Sequence, residues 1–418
     1  MLPTAITLRN YRSFAGPVRL ELRPITLLFG INNAGKSALL RALPILSDSL
    51  APTATGPLDL ESPAARGSSF QDLRWKGLGE DDDPDLGLSI SWDSGDRIEF
   101  SVTSFGDLRR LIIRRFTVWK GETLLLGAEW RPKSEERTAQ ELTYEIQTAL
   151  EGPKTLVLIG FKGLVPFSWP KSLDTHLAPV AGLLKDLHNE VQWLTRRAPE
   201  RLSPFPTGPT WRVKFDGSNA ATVLAASPEL LSEVSKWYEE QLQRRLDVVE
   251  VPAGGIRLIL RNLERATFDV DLMDTGEGMI QVLPVLTALA LARRQSQGGP
   301  GILAIEEPES NLHASLQRAL AESLCDLAAM ESPPRIILET HSEQLLLGVQ
   351  LQIVRGRLSP EDVLVYWVRQ LENGESVAEP VTFDRDARPQ GAWPPGVFAD
   401  DTDVAREIIQ ARRERAAS

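Results

Sequence analysis

A glycine-containing loop near the start of the chain is the feature whose residue types and spacing predict chemistry most directly. Residues 30–37 read G-I-N-N-A-G-K-S, the G-x-x-x-x-G-K-S pattern of a phosphate-binding loop. The apolar run at 25–29 predicts a buried strand before the loop, and residues 38–43 have helical spacing after it. At such a strand-to-helix turn, backbone N–H groups and the helix N-terminus bind phosphate oxygens. We therefore expect this segment to bind a nucleoside triphosphate.

The residues of this loop have separate expected roles. Gly30 and Gly35 let the backbone curl around phosphate oxygens. The Lys36 amine neutralises the β and γ phosphates, and the Ser37 hydroxyl ligates Mg²⁺. The residues expected to contact the nucleotide are Gly30, Asn32, Asn33, Ala34, Gly35, Lys36, Ser37 and Ala38. The expected cofactors are ATP and Mg²⁺.

A second candidate element is an apolar run that ends in acidic residues. Residues 301–309 read G-I-L-A-I-E-E-P-E, which predicts a core strand with Glu306 at its tip. Glu306 could hold Mg²⁺ through water, and Glu307 could orient and deprotonate an attacking water. A strand that simply ends in solvated acidic residues is the alternative, and by itself this run favours neither. The intact phosphate loop upstream favours the catalytic interpretation.

Two further segments carry candidate functional groups. A predicted strand at 335–338 is followed by E-T-H-S, which places His341 at the carboxyl edge of the sheet. A neutral imidazole there could hydrogen-bond a γ-phosphate, although an isolated histidine is more often a capping or core residue. Residues 271–278, D-L-M-D-T-G-E-G, precede a predicted helix and could form a second anion site. An ordinary helix cap by Asp274 or Thr275 is the alternative, which the sequence alone favours.

Composition limits the classes of partner. The chain has 418 residues and a formal net charge of −11, so any contact with DNA or RNA must be a local basic patch. No window approaches the roughly 18 to 20 apolar residues that cross a bilayer, and the N-terminus has no signal-peptide pattern. We expect a cytoplasmic protein without a membrane partner, and the single Cys325 excludes an internal disulfide. The candidate patches, each more commonly a solvated face, are Arg109, Arg110, Arg114, Arg115 and Lys120; Arg196, Arg197 and Arg201; and Arg412, Arg413 and Arg415.

The order of patterns predicts an α/β architecture in five segments. Residues 1–50 form the first part of the core, and 51–130 contain a loop and an inserted antiparallel β region, with short strands at 88–92, 97–100, 111–113 and 116–119. Residues 131–250 form a helical lobe with helices near 134–150 and 228–246. Residues 251–350 complete the core, and 351–418 form a C-terminal extension.

Taken together, these motifs resemble the ABC-type ATPases of the RecF, SMC and OLD kind. The matching segments are T-L-R-N-Y-R-S-F, G-I-N-N-A-G-K-S, T-G-E-G, A-I-E-E-P-E-S-N-L-H and E-T-H-S. The chain most resembles short-tailed bacterial AAA-family ATPases that are similar to OLD. The resemblance implies a phosphate-loop fold with a mixed central sheet and helices, an inserted antiparallel β subdomain and a helical lobe.

The same resemblance implies roles for individual residues. Glu306 and Glu307 would form the Walker B pair, and His341 would be the switch histidine. Gln71 would link Mg²⁺ to the helical lobe. The residues that would contact the γ-phosphate held by a second subunit are Thr275, Gly276 and Gly278.

The resemblance also implies an assembly and a mode of action. A homodimer, or a higher oligomer built from dimers, would close around ATP and act as a switch on nucleic acid or on a separate effector protein. That effector could be a separately encoded nuclease in anti-phage defence or DNA repair. OLD nucleases append a Toprim domain, but only about 75 residues follow His341, too few for such a domain. We interpret Asp384 and Asp386 as part of a turn and expect no intrinsic nuclease.

Two other classes of ATPase remain as alternatives. One is the motor subunit of a membrane transporter, but about 270 residues separate Ser37 from Glu306, more than a compact transporter motor needs. The other is an AAA+ ring motor completed by a neighbour's arginine finger. The E-E-P-E block, the T-G-E-G turn and His341 all favour the ABC-type arrangement over the ring motor.

Overall fold

The computed structural model describes most of the chain. The described residues are 1–77, 79, 83–105, 110–132, 141–149, 152–195, 198–252, 254–263, 269–391 and 393. They form an α/β fold with three sheets and eight α-helices among them. The helices are α1 (Lys36–Ser49), α2 (Phe70–Leu73), α3 (Asp174–His188), α4 (Ala220–Ala225), α5 (Pro228–Leu242), α6 (Glu277–Ala292), α7 (Ala314–Ala328) and α8 (Glu343–Val354).

A seven-stranded sheet forms the core from which the predicted phosphate loop extends. Its order is β11 (Val191–Leu194), β15 (Ile302–Glu306), β16 (Arg335–Thr340), β3 (Ile25–Phe29), β17 (Val363–Gln370), β18 (Ser376–Phe383) and β19 (Pro389–Gly391). The first five strands run parallel, whereas β18 and β19 pair antiparallel. Parallel strands place their carboxyl ends at one edge, so the segments after β3, β15 and β16 meet there.

The two faces of this sheet pack against different layers. β3 is buried along its whole length because both faces are covered. Leu28 packs on the side of α1 and the second sheet, and Leu27 packs on the side of α6, α7 and α8. This alternation is the two-residue period of a strand. Successive side chains of β3 therefore contact the helices on opposite faces of the sheet.

The second sheet is antiparallel and has nine strands. Its order is β10 (Val165–Ser168), β9 (Thr155–Lys162), β8 (Glu141–Gln147), β7 (Thr123–Trp130), β6 (Arg110–Lys120), β5 (Asp96–Phe105), β4 (Leu86–Ser91), β1 (Ala5–Arg9) and β2 (Val18–Glu21). One face packs in the same hydrophobic cluster as α1 and α3. A third, small sheet contains β12 (Arg244–Glu250), β13 (Ile256–Asn262) and β14 (Val270–Asp271), beside α4 and α5.

The α/β architecture is confirmed. The helix predicted at 228–246 begins at Pro228 but ends at Leu242, and residues 244–246 belong to β12 instead. The helix predicted near 134–150 is wrong, because residues 141–147 form β8. Residues 133–140 lie outside the described part of the chain. In β8, Leu142, Tyr144 and Ile146 point every second side chain into the core. Pairing with β7 and β9 outweighs the helical propensity of the glutamates and glutamines in this segment.

The two short strands predicted at 111–113 and 116–119 are one strand. The paired arginines between them look like a turn in the sequence, but Ile113 pairs with Val102 and Arg115 with Ser101. A bulge at Arg114 absorbs the extra residue and lets the strand continue.

The sheets also cross the segment boundaries expected from the sequence. The nine-stranded sheet takes strands from residues 1–50, 51–130 and 131–250. β17, in the expected C-terminal extension, pairs parallel with β3 in the core.

Candidate nucleotide-binding site

The phosphate loop joins β3 to α1 through two glycines in left-handed conformations. Gly30 has φ of 150° and Gly35 has φ of 106°. A Cβ at Gly30 would lie 2.1 Å from the Val368 carbonyl oxygen, and one at Gly35 would lie 2.9 Å from Ser13 Oγ. Both positions therefore require glycine for conformation and for space.

The other loop residues differ in exposure, and their contacts with a nucleotide stay a prediction. Asn32 and Asn33 are exposed, Ala34 is buried and Ala38 is half-buried. Gly35 is the N-cap residue of α1, and no described side chain caps this helix. The first N–H groups of α1 thus face the loop, as in a phosphate-binding helix N-terminus.

Lys36 is folded into the loop. Its Nζ donates to the Gly30 carbonyl at 3.0 Å and to the Ile31 carbonyl at 2.8 Å. Burial lowers the pKa of Lys36, and the charges of Glu339 and the neighbouring glutamates partly oppose this shift. The amine therefore lies at the centre of the loop, beside the backbone that would surround phosphates.

Ser37 contacts a carboxylate that the sequence did not single out. Its Oγ donates to Glu339 Oε1 at 2.5 Å. Glu339 lies near the end of β16, next to β3 in the sheet, and burial raises its pKa. Its other oxygen, Oε2, is buried without a hydrogen-bond partner among the described residues. The sequence signal was present in E-T-H-S, but only His341 was assigned a role there.

Glu306 lies at the tip of β15, as predicted, but it forms a buried ion pair. Arg41 on α1 donates to it through Nε at 2.6 Å and through Nη2 at 2.7 Å. Trp193 Nε1 at 3.1 Å and Thr195 Oγ1 at 2.9 Å also donate to Glu306. Burial pushes the pKa of Glu306 up, but the hydrogen bonds and charge of Arg41 outweigh it and leave the pKa lowered.

Replacing Arg41 with alanine is expected to destabilise the fold strongly. The Arg41→Ala variant leaves Glu306 buried and charged, which costs about 3–5 kcal/mol in the free energy of unfolding. Arg66→Ala is the matched control, because its guanidinium is half exposed and 3.5 Å from Glu306, and it should cost less than about 1 kcal/mol. Chemical denaturation measures both values. Equal losses in the two variants would contradict the special role of Arg41.

Glu307 and His341 lie close together at the same edge. Glu307 has a left-handed φ of 43°, its N–H donates to the Glu339 carbonyl at 2.8 Å, and its Oε2 accepts from Ser310 Oγ at 3.0 Å. The ligand atoms of Glu307, Glu339 and His341 all lie within 4.8 Å of one another. Strained backbone of this kind persists where surrounding structure holds it, often at functional sites.

The environment of His341 keeps its ring neutral near pH 7. Burial and then the charge of Lys36 lower the pKa of His341. Glu309, which the sequence analysis did not assign, is buried and accepts from Thr340 Oγ1 at 2.6 Å and from the His341 N–H at 3.0 Å. This contact fixes the backbone at the position of the histidine.

Part of this group of residues opens onto a cleft of about 720 Å³, whereas Lys36, Glu309 and His341 are not among the residues that line it. Ser37, Glu306, Glu307 and Glu339 line it, and residues of α6 and its preceding turn, including Glu277, face them. A hydroxyl and several carboxylates are the oxygen ligands that Mg²⁺ prefers, and the buried, unpartnered Glu339 oxygen suits a cation. The cleft therefore fits a magnesium-bound triphosphate.

A family of known sequences matches most of the chain. The family described as "AAA domain, putative AbiEii toxin, Type IV TA system" matches residues 25–347, which include every motif named above except the opening segment. The chain belongs to this AAA-domain family. A search of curated proteins finds no match.

Among solved structures, the chain is similar to SMC head domains. The SMC head domain from Thermotoga maritima has 14% identity and a TM-score of 0.41, and the match covers 91% of this chain and 99% of that chain. An Smc head bound to the C-terminal winged-helix domain of ScpA has 11% identity, a TM-score of 0.48 and coverages of 92% and 99%. An Smc head from Pyrococcus furiosus with an extended coiled coil, bound to the C-terminal domain of ScpA, has 11% identity, a TM-score of 0.46 and coverages of 98% and 99%.

In this AAA-domain protein the T-G-E-G turn begins α6 without a side-chain cap. Gly276 is the N-cap residue, so the expectation that Asp274 or Thr275 caps the helix is wrong. Thr275 Oγ1 instead donates to the Leu272 carbonyl at 2.6 Å, and Asp274 forms an ion pair with Arg201. Contact of Thr275, Gly276 and Gly278 with a second subunit stays a prediction.

Gln71 is not among the residues that line the cleft. It is exposed on α2, and its expected link to Mg²⁺ stays a prediction. Asp384 and Asp386 lie in the turn between β18 and β19, where Asp384 Oδ1 accepts from the Asp386 N–H at 2.9 Å. This agrees with their interpretation as part of a turn.

The expected basic patches are partly neutralised by acidic neighbours. Arg114 pairs with Asp83 and Asp85, and Arg115 lies within 4.0 Å of Asp83. Arg110 and Lys120 lie at the two ends of β6. The residues outside the described part of the chain are Arg109, Arg196, Arg197, Arg412, Arg413 and Arg415. Among the helices that the structure describes, none has the length and apolar character needed to span a bilayer.

Proposed function

We propose that this AAA-domain protein binds ATP with Mg²⁺ in the cleft and hydrolyses it to ADP and phosphate. The observation that carries the proposal is that Glu339 joins residues from three separate stretches of the chain: it accepts a hydrogen bond from Ser37, and its ligand atom lies within 4.8 Å of those of Glu307 and His341. Each stretch follows one of three adjacent parallel strands, β3, β15 and β16.

In the proposed reaction, Lys36 exchanges its hydrogen bonds to the loop carbonyls for the β and γ phosphates of ATP. Glu307 accepts a proton from the water whose oxygen attacks the γ-phosphorus, and the bond to the β,γ-bridging oxygen breaks as ADP leaves. The neutral His341 ring donates a hydrogen bond to the γ-phosphate. Bound Mg²⁺ would supply positive charge to the phosphates, held by Ser37 and a strand-end carboxylate.

We further propose that ATP closes a homodimer, from which higher assemblies could be built. The first turn of α6 is exposed at Gly276 and has no side-chain cap, so its N–H groups could bind the γ-phosphate held by a second copy. A γ-phosphate between two subunits binds the closed state better than the open one, so hydrolysis would reopen the dimer. The protein would then act as a switch.

The switch would control a separate effector protein, such as a nuclease, or the processing of DNA or RNA. The family description, a putative toxin of a type IV toxin–antitoxin system, supports a role in anti-phage defence more than in DNA repair. The negative net charge of −11 also favours a protein effector over extended contact with nucleic acid.

Measurements on the purified chain test this function. We expect steady release of phosphate from ATP that requires Mg²⁺, and a doubling of the mass in light scattering when a slowly hydrolysed ATP analogue is added. Binding to duplex DNA, if present, should weaken with salt along a log-log line. Absence of Mg²⁺-dependent turnover at every protein concentration would contradict the hydrolysis. A mass that ATP leaves unchanged would contradict the dimer alone.

A further inference from the structure

We propose that Glu339, and not Glu306, is the carboxylate that holds the Mg²⁺ of the bound nucleotide together with Ser37. This assignment rests on the proposed ATPase function and specifies the metal site within it. It differs from the sequence expectation, which gave this role to Glu306.

Glu306 has no free acceptor site for a cation or its water. Its Oε1 accepts from Arg41 Nε and Trp193 Nε1, and its Oε2 accepts from Arg41 Nη2 and Thr195 Oγ1. Arg66 Nη2 also lies 3.5 Å from Oε2. An ionised carboxylate offers about four lone-pair sites, so these donors occupy them all. Arg41 and Glu306 are both largely buried, at 13% and 10% side-chain exposure, so water does not readily replace this pair.

Glu339, in contrast to Glu306, has a carboxylate oxygen that accepts no hydrogen bond from the described residues. It is only 4% exposed, Oε1 accepts from Ser37, and Oε2 has no hydrogen-bond partner in the described part of the chain. A buried carboxylate oxygen without a partner destabilises the fold, and a dication bound at that oxygen would remove this destabilisation. Glu309 Oε2 is likewise buried without a partner in the described part of the chain, but Glu339, unlike Glu309, lines the cleft and contacts Ser37.

The contact between Ser37 and Glu339 also prepares the hydroxyl for a metal. Because Ser37 donates its proton to Glu339, the lone pairs of Ser37 Oγ stay available for a cation. Glu339 lies on β16, between β3 and β15, and is directly in register with Glu306. Of the two neighbouring carboxylates, Arg41 neutralises one and leaves the other for Mg²⁺.

Glu339 also lies beside the groups proposed to act on the γ-phosphate. Its ligand oxygen is within 4.8 Å of those of Glu307 and His341, whereas Glu306 is not a member of that group. The metal carboxylate and the proposed base therefore come from neighbouring strands.

Nucleotide binding with and without Mg²⁺ separates the two carboxylates. The affinity of a fluorescent, non-hydrolysable ATP analogue is measured in Mg²⁺ and in EDTA for the full chain and for Glu339→Gln and Glu306→Gln. We expect the nucleotide affinity of Glu339→Gln in Mg²⁺ to be about 10–100-fold lower than that of the wild type. Its affinity in EDTA should be unchanged. Glu306→Gln should keep the gain. Glu322→Gln is the matched control, since Glu322 pairs with Arg357 on the surface.

Mn²⁺ with the same analogue, followed by electron paramagnetic resonance, gives a direct readout of the cation. Glu339→Gln should weaken Mn²⁺ binding, and Glu339→Asp, which keeps the charge but shortens the side chain, should be intermediate. This pair also decides the question if Glu306→Gln fails to fold because Arg41 loses its partner.

The outcomes are distinct. Loss of the Mg²⁺ gain in Glu306→Gln with retention in Glu339→Gln would overturn the assignment, as would equal loss in both or no loss in either Glu339 variant. A loss in EDTA as large as that in Mg²⁺ would show a structural role only and would also overturn it. If the wild-type chain binds no nucleotide in either buffer, the proposed ATPase function itself fails.

Discussion

Lys36→Ala should weaken ATP binding by a factor of about 30 to several thousand. Lys36 is 3% exposed and its amine donates to two loop carbonyls, so it is held where the β and γ phosphates would bind. Removing one partner of a desolvated, hydrogen-bonded charge pair costs about 2–5 kcal/mol, which corresponds to that range. Isothermal titration with ATP and Mg²⁺ measures the change.

The control for this variant is Lys236→Ala. Lys236 is 74% exposed and forms an ion pair with Glu240 on α5, so its removal should leave ATP affinity unchanged. The thermal unfolding of both variants should resemble that of the wild type, because alanine suits the first turn of α1. An ATP affinity in Lys36→Ala equal to the wild type would refute the assignment of the phosphate loop.

The second large effect is expected from Glu307→Gln. The amide cannot accept the proton of the attacking water, so kcat should fall by about 10²- to 10⁴-fold, the usual contribution of a positioned base. Binding of ATP should persist, and the ATP-bound dimer should last longer, because the reaction that reopens it is blocked. Phosphate release measures kcat, and size-exclusion chromatography after ATP addition measures the lifetime of the dimer.

Glu331→Gln, at an exposed position after α7, is the matched substitution outside the cleft. It should leave kcat and the dimer unchanged. Turnover in Glu307→Gln at the wild-type rate would remove Glu307 from the mechanism. A loss of ATP affinity instead of kcat would assign Glu307 to binding and not to proton transfer.

Local sequence patterns were sufficient to predict the secondary-structure elements around the phosphate loop. The strand at 25–29, the loop with Gly30 and Gly35, and α1 follow from apolar runs, backbone requirements and helical spacing within about 20 residues. The run before Glu306 predicted β15 for the same reason. These signals are strong because β3 and β15 are buried on both faces and carry almost no polar residues.

Patterns failed where a neighbour in space decides the outcome. In β8, pairing with β7 and β9 favours the two-residue alternation of Leu142, Tyr144 and Ile146 over the helical propensity of its glutamates. The sequence favoured Asp274 or Thr275 as the cap of α6. The Asp274 carboxylate instead forms an ion pair with Arg201, more than 70 residues earlier in the chain, and Gly276 is the N-cap residue.

By itself, the sequence determined that a triphosphate loop, an acidic strand end and a histidine strand end occur in one α/β chain, because each is a local pattern of residue types. Only the tertiary structure decided which of the two carboxylates, Glu306 or Glu339, contacts Arg41 and which contacts Ser37. Arg41 reaches Glu306 and Ser37 reaches Glu339 across gaps of 265 and 302 residues, through the parallel order of β15, β16 and β3. Electrostatic pairing depends on distance and burial in space, and those quantities do not exist until the strands are aligned.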